Sequence, residues 1–174
     1  MYILKPNERT MPVMVYTQDT LVRGEVIVPD SVQRVNIWLR MDGAPHYMHI
    51  LKPQVIVFGG SPLKPLSYSE LFFPTTQVIA FHTIPPTDEP VDFDLTETDR
   101  MMQTVDLLVG TFVMRGSTRI STHTELATSI EMTRVAWMSL YDVEISNPYL
   151  PQMPVLQVPM VLVNSSHAAI GLES

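Results

Sequence analysis

The chain has 174 residues, enough for one ordinary domain or two small ones. Hydrophobic residues make up 45% and charged residues 17%, a globular composition that excludes a disordered chain. The net charge of −7, with 11 Lys and Arg spread along the chain, disfavours nucleic acid as a partner; the lack of cysteine removes disulfides, thiolate metal sites and cysteine nucleophiles.

The segment Met1 to Pro6 lacks the apolar core of a signal peptide. No run approaches the ~18 apolar residues that span a bilayer. A cytoplasmic protein without a membrane partner is the expectation.

Residues 1–12 hold two prolines and read as a lead-in. Val13 to Thr17 alternates as a strand, and Gln18-Asp19 is a turn candidate. Leu21 to Val28 is a second strand, and Gly24 in its middle suggests a bulge or bend that curls the sheet. Pro29 ends it. Asp30-Ser31-Val32-Gln33 has the form of a capping box, and Val32, Val35 and Leu39 stand at helical spacing, so a short helix is predicted over 31–40. Trp38 joins that stripe. His46 to Phe58 is strand-like but broken by Pro53. Residues 59–69 read as a loop, and Thr75 to Thr83 as a further strand. Residues 87–103, rich in acids and following Pro85-Pro86, read as a solvated linker.

After the linker the pattern restarts. Val105 to Val109 matches Val13 to Thr17 at a shift of 92, and Phe112 to Ile120 matches the second strand with its Arg-Gly at Arg115-Gly116. Thr122-His123-Thr124-Glu125 is a capping box in the place of Asp30 to Gln33, and Leu126 and Ile130 continue a helix. Beyond it the shift falls to about 90, with Tyr47 to Leu51 matching Trp137 to Tyr141, while Pro74 to His82 is matched to Pro159 to His167. A duplicated unit follows. Short bent strands with a glycine bend suit a small closed sheet. The expectation is a mainly β protein of two tandem small SH3-like or Sm-like β-barrels, each with one short helix after the second strand. The first spans residues 1–86, the acidic linker 87–103, the second barrel 104–174. Tyr47 and Trp137 are expected as core aromatics, and Met138, Met153 and Met160 as core filler.

Gly24, Asp30 and Asn36-Ile37-Trp38-Leu39 stand in the order of the first Sm-like motif, which the stretch Val13 to Leu39 resembles. In the second unit Gly116 is kept and Thr122 replaces the Asp. The resemblance implies ring-forming small barrels that bind single-stranded RNA near Asp30 and Asn36; a helix cap and a polar helix residue also account for them. Arg115 and Arg119 have the Arg-x-x-x-Arg form of the PilZ family, and Asn164-Ser165-Ser166-His167-Ala168-Ala169 resembles its second motif with Ala169 for Gly. That resemblance implies a cyclic dinucleotide as ligand; a surface stripe on one strand face also explains both arginines.

His46 and His49 fall on opposite strand faces, His82 and His167 on equivalent strand ends, and the linker acids lack the spacing of a calcium loop, so no metal site is expected. No phosphate-cradling glycine loop or nucleophile elbow marks a catalytic site or a cofactor. The functional expectation is a non-catalytic binding or assembly module, with a second copy or another protein as partner. RNA or nucleotide binding through the first barrel, and an enzyme with an unmarked site, are the alternatives. Asp30, Asn36, Arg115 and Arg119 are the candidate ligand residues.

Overall fold

The structure is a computed structural model and describes residues 2–60, 63–132 and 135–172. The chain divides into two compact units, Met1–Glu89 and Pro90–Ser174.

In the first unit β1 (Glu8–Tyr16), β2 (Thr20–Pro29) and β3 (Tyr47–Val57) form an antiparallel meander. β4 (Leu66–Ser67) and β5 (Glu70–Pro74) both pair with β3 in one register, Gln54 opposite Ser67 and Leu51 opposite Glu70. They are one strand interrupted at Tyr68-Ser69, where the Lys52 N–H still donates to the Ser69 carbonyl at 3.0 Å. β6 (Ala80–Thr83) returns to pair with β1. The helix expected over 31–40 is a 3₁₀ helix, Val35–Arg40, and residues 75–77 form a second 3₁₀ turn before β6.

In the second unit β7 (Arg100–Val109), β8 (Phe112–Ser121), β9 (Trp137–Ser146) and β10 (Leu156–Asn164) pair in sequence. A 3₁₀ turn, Ser165–His167, leads to β11 (Ala168–Gly171), which pairs back on β7. Between β8 and β9 lies one α-helix, α1 (Leu126–Met132). No helix among the described residues is long and apolar enough to cross a membrane. The protein is mainly β, and no ladder among the described residues joins β5 to β6 or β10 to β11.

Strand alternation supplies each core. Val13, Val15, Val22, Val26, Met48, Ile50 and Phe81 are buried in the first unit, and Val105, Leu107, Met114, Leu140, Val143 and Ile145 in the second. Tyr47, expected in a core, is 59% exposed, and of Met138, Met153 and Met160 only Met160 is buried. Tyr47 sits on the outward face of β3, two residues before His49, whose ring stacks on Phe72 at 4.3 Å.

The same internal contacts recur in the two units at fixed shifts. Val13 opposite Gly24 becomes Val105 opposite Gly116, and Tyr47 opposite Pro74 becomes Trp137 opposite Asn164. Pro74 therefore corresponds to Asn164, not to Pro159, and His82, buried in β6, does not correspond to His167 in the 3₁₀ turn. The Thr75 N–H donates to the His46 carbonyl at 3.0 Å, as the Ser165 N–H does to the Ala136 carbonyl at 3.0 Å. The two hydroxyls repeat the match, Thr75 to the Pro45 carbonyl at 2.5 Å and Ser165 to the Val135 carbonyl at 2.6 Å. These bonds explain why Thr75 begins a turn and not the strand expected there.

Each unit also bends at the same point. The register slips between Arg23 and Glu25, and again between Arg115 and Ser117, so that Lys52-Pro53 faces Gly24 and Asp142-Val143 faces Gly116. These are β-bulges, two residues against one, and both first residues are left-handed, Lys52 at φ 47° and Asp142 at φ 50°. The bulge pushes the third strand onto the glycine. A methyl group at Gly116 would stand 2.8 Å from the Tyr141 carbonyl oxygen; at Gly24 the nearest atoms would be the Ile50 Cγ2 at 2.5 Å and the Leu51 oxygen at 3.0 Å. A methyl tip can rotate away and a ladder carbonyl cannot. We therefore expect both Gly24→Ala and Gly116→Ala to destabilise in urea unfolding, by about 1–3 kcal/mol each, with Gly116→Ala the larger. Equal stability of Gly116→Ala and the parent chain would contradict the close approach.

Candidate functional site

The residues after the second strand distinguish the two units. In the first, the 3₁₀ helix turns Val35, Asn36, Trp38 and Leu39 inward, and all four are buried. Its N-terminus is held by Glu89, which accepts from the Val35 N–H at 2.7 Å and the Asn36 N–H at 2.8 Å. In the second, α1 buries none of its residues: Leu126 is half-buried, Ile130 is 45% exposed and Met132 is 72% exposed. The sequence Leu126–Met132 carries no aromatic residue to match Trp38.

Beneath α1 the second unit leaves a cavity of about 450 Å³. Ile120, Leu126, Ile130, Val135, Met138 and Ile170 give it apolar walls; Thr118, Ser129, Ser165 and Ser166 add hydroxyls, and Arg119 is the one charged residue of the described lining. That volume and that ratio of apolar wall to a few polar groups are those of a small-molecule site. The elements set each residue in place. Thr118, Arg119 and Ile120 come from β8, Met138 from β9, and Ala168 and Ile170 from β11. Ser165 is fixed by its bond to Val135, and Ser166 by Asn164, whose Oδ1 accepts from its hydroxyl at 2.7 Å.

Of the expected ligand residues, the structure brings Arg119 to this cavity. Its guanidinium donates to Glu97 Oε2 at 2.7 Å and to the Asp94 carbonyl at 3.1 Å, and lies 4.4 Å from the centre of the Phe93 ring. The stretch Asn164 to Ala169 reaches the same cavity through Ser165, Ser166 and Ala168. Arg115 is not in the lining; its fork makes two bonds to Asp106, 2.8 and 2.9 Å, and these hold the Asp106 carboxyl below the usual carboxylate range. Asp30 is exposed, and its N–H donates to the Asn7 carbonyl. Asn36 is buried within the 3₁₀ helix and held by Glu89. A second hollow of about 570 Å³ in the first unit is more polar, with Tyr2, Glu8, Tyr47 and His49 among its lining; Pro29 and Ser31 reach it but Asp30 does not.

Sequence reasoning missed the apolar lining because it is defined by what α1 fails to fill. The available signal was the contrast between Trp38 and the small or flexible residues of Leu126–Met132. The capping box at Thr122 to Glu125 also did not hold. The Thr122 hydroxyl bonds back to the Asp99 carbonyl at 3.3 Å, because its own N–H already closes the β7–β8 ladder there. Nor are the acids of 87–103 merely solvated: Glu89 caps the 3₁₀ helix, Asp92 accepts from Ser139 at 2.7 Å and from Tyr141, and Arg100 to Gln103 already belong to β7. No group of three or more His, Asp or Glu among the described residues is arranged to hold a metal ion.

Compared with known proteins, the chain matches no family model, no curated protein and no solved structure.

The strongest pKa displacements belong to a buried pair, not to the cavity. His82 Nδ1 lies 2.9 Å from the Thr83 carbonyl, which can only accept, so Nδ1 carries the proton and Nε2 accepts from the Tyr16 hydroxyl at 3.0 Å. Burial pushes the Tyr16 phenol up and the His82 imidazole down to about 4, from 6.5. The folded imidazole thus binds a proton less readily than the unfolded one. Its contribution is complete above pH 6.5 and is lost as the pH falls from 6.5 through about 4, up to about 3 kcal/mol in all. We expect His82→Gln to remove that part of the slope of unfolding free energy against pH. An unchanged slope between pH 6.5 and 4 would contradict a neutral buried imidazole.

Proposed function

We propose that this protein is a non-catalytic binding module that takes a small, mostly apolar ligand in the cavity beneath α1. One observation carries the reading. Two units with matching strand registers differ in the element after their second strand: the first packs Val35, Trp38 and Leu39 inward, whereas in the second Leu126 and Ile130 stay unburied on the wall of a mainly apolar cavity. We further read each unit as one small barrel of SH3-like strand order, doubled in tandem. The return of the fifth strand to the first through a 3₁₀ turn, in both units, supports that reading.

The lining supports binding over catalysis. Among the described lining residues the hydroxyls make local structural bonds, the charged group is paired, and no base stands beside a nucleophile. The ion pairs of Arg115 with Asp106 and Arg119 with Glu97 weigh against reading the two arginines as a phosphate clamp.

Filling the cavity tests the proposal. Ala168 lines it from β11 and is half-buried, so Ala168→Leu extends a side chain into the space without disturbing a ladder. Octanol, titrated calorimetrically, is expected to bind the parent chain and to bind Ala168→Leu at least about tenfold more weakly, with the melting temperature held or raised. Equal binding by both chains, or none by the parent, would sink the proposal.

A further inference from the structure

We infer that the hollow of the first unit binds a small organic cation by its quaternary ammonium head, between aromatic rings and the Glu8 carboxylate. This is a second site, and it does not depend on the cavity beneath α1.

Strand register gathers the lining onto one sheet face. Val26 stands opposite Ile50, and both are buried in the core, so Ile27 and Pro29 of β2 share the outer face with Tyr47 and His49 of β3. Glu8 of β1 stands opposite Pro29 on that same face. Tyr2 joins it from the N-terminal segment: its hydroxyl donates to Glu8 Oε2 at 2.9 Å, and its ring lies perpendicular to that of His49 at 4.6 Å. His49 is held in turn by Glu70 at 3.0 Å and by its stack on Phe72. Trp38 comes from the 3₁₀ helix, and the hollow these residues share measures about 570 Å³.

Its chemistry suits a cation that makes no hydrogen bonds. Aromatic rings attract a positive charge, and Tyr2, Trp38 and Tyr47 are in the lining with the carboxylates of Glu8 and Asp42. The Glu8 side chain is 15% exposed, and the bond from the Lys5 N–H at 3.0 Å holds its carboxyl below the usual carboxylate range, so it is ionised at neutral pH. Oε2 already accepts two bonds, from Tyr2 and from that N–H. A primary ammonium needs acceptors for three N–H groups, whereas a quaternary one needs none and draws on charge and ring faces alone. Lys5 shows the difference. Its Nζ lies 3.5 Å from Glu8 Oε1, yet its side chain is 67% exposed and keeps its water. Tyr47, the most exposed of the three rings, gains cover when the head group enters.

The test uses the full chain and calorimetry at neutral pH with three probes: choline, its uncharged carbon isostere 3,3-dimethylbutan-1-ol, and ethanolamine. Choline is expected to bind at least about tenfold more tightly than either of the others. Tyr47→Leu and Glu8→Gln, checked for folding by melting temperature, are each expected to weaken choline by about three- to tenfold, and Glu8→Gln to leave the isostere unchanged. Ala168→Leu, which alters the other unit, is expected to bind choline as the parent does. Equal binding of choline and the isostere would reduce the hollow to an apolar surface, and equal binding of ethanolamine would remove the preference for a quaternary head; either overturns the inference. So does no binding of choline, or binding that neither Tyr47→Leu nor Glu8→Gln weakens. Should one of these two variants fail to fold, the other decides.

Discussion

The approach of the third strand onto a glycine in the second governs the shape of each unit. A strand that passes so close to its neighbour leaves no room for a Cβ, and the bulge opposite the glycine supplies the bend that makes the approach possible. Once the third strand has bent there, the rest follows from chain length. The fourth strand stays in one register along the third, a short 3₁₀ turn reverses direction, and the fifth strand lies against the first. Lys52 and Asp142 accept a left-handed backbone to hold that bend. That both are non-glycine residues shows the surrounding ladders fix the conformation.

The functional argument depends on what this shared frame leaves unfilled. Strand registers fix where the residues after the second strand must pack, but not how much volume they bring. Val35, Trp38 and Leu39 bring enough to be buried, and Glu89 secures the helix that carries them. Leu126 and Ile130 bring less, and a cavity remains. An apolar hollow of this size keeps water against its walls, so an apolar occupant gains by displacing it.

Much of the frame was legible in the chain. The matched Arg-Gly pairs located both bends, and the shifts of 92 and then 90 are those of the strand registers. Reading failed where identity of residue type was taken for equivalence of position. Pro74 and Pro159 look alike, but the ladder sets Asn164 against Pro74, because backbone register, not side-chain type, decides correspondence in a sheet. Short strands such as β5 and β11 carry too few residues to show alternation. The roles of Glu89 and Asp92 depend on partners some fifty residues away along the chain, so they read as a solvated acidic run. The cavity had no motif at all, since a void is a property of summed volumes. Of Asp30, Asn36, Arg115 and Arg119, only Arg119 lies at it.

The contrast between a helix packed inward and one that leaves an apolar hollow beneath it is the central claim, and xenon tests it most directly, since xenon enters apolar cavities without needing polar partners. Methyl-resolved NMR of the full chain under xenon pressure would report on both units at once. The methyls of Ile120, Leu126, Ile130 and Ile170 are expected to shift progressively with pressure while those of Val35 and Leu39 stay still. Shifts of equal size around Val35 and Leu39, or none around Ile120 and Ile170, would contradict it.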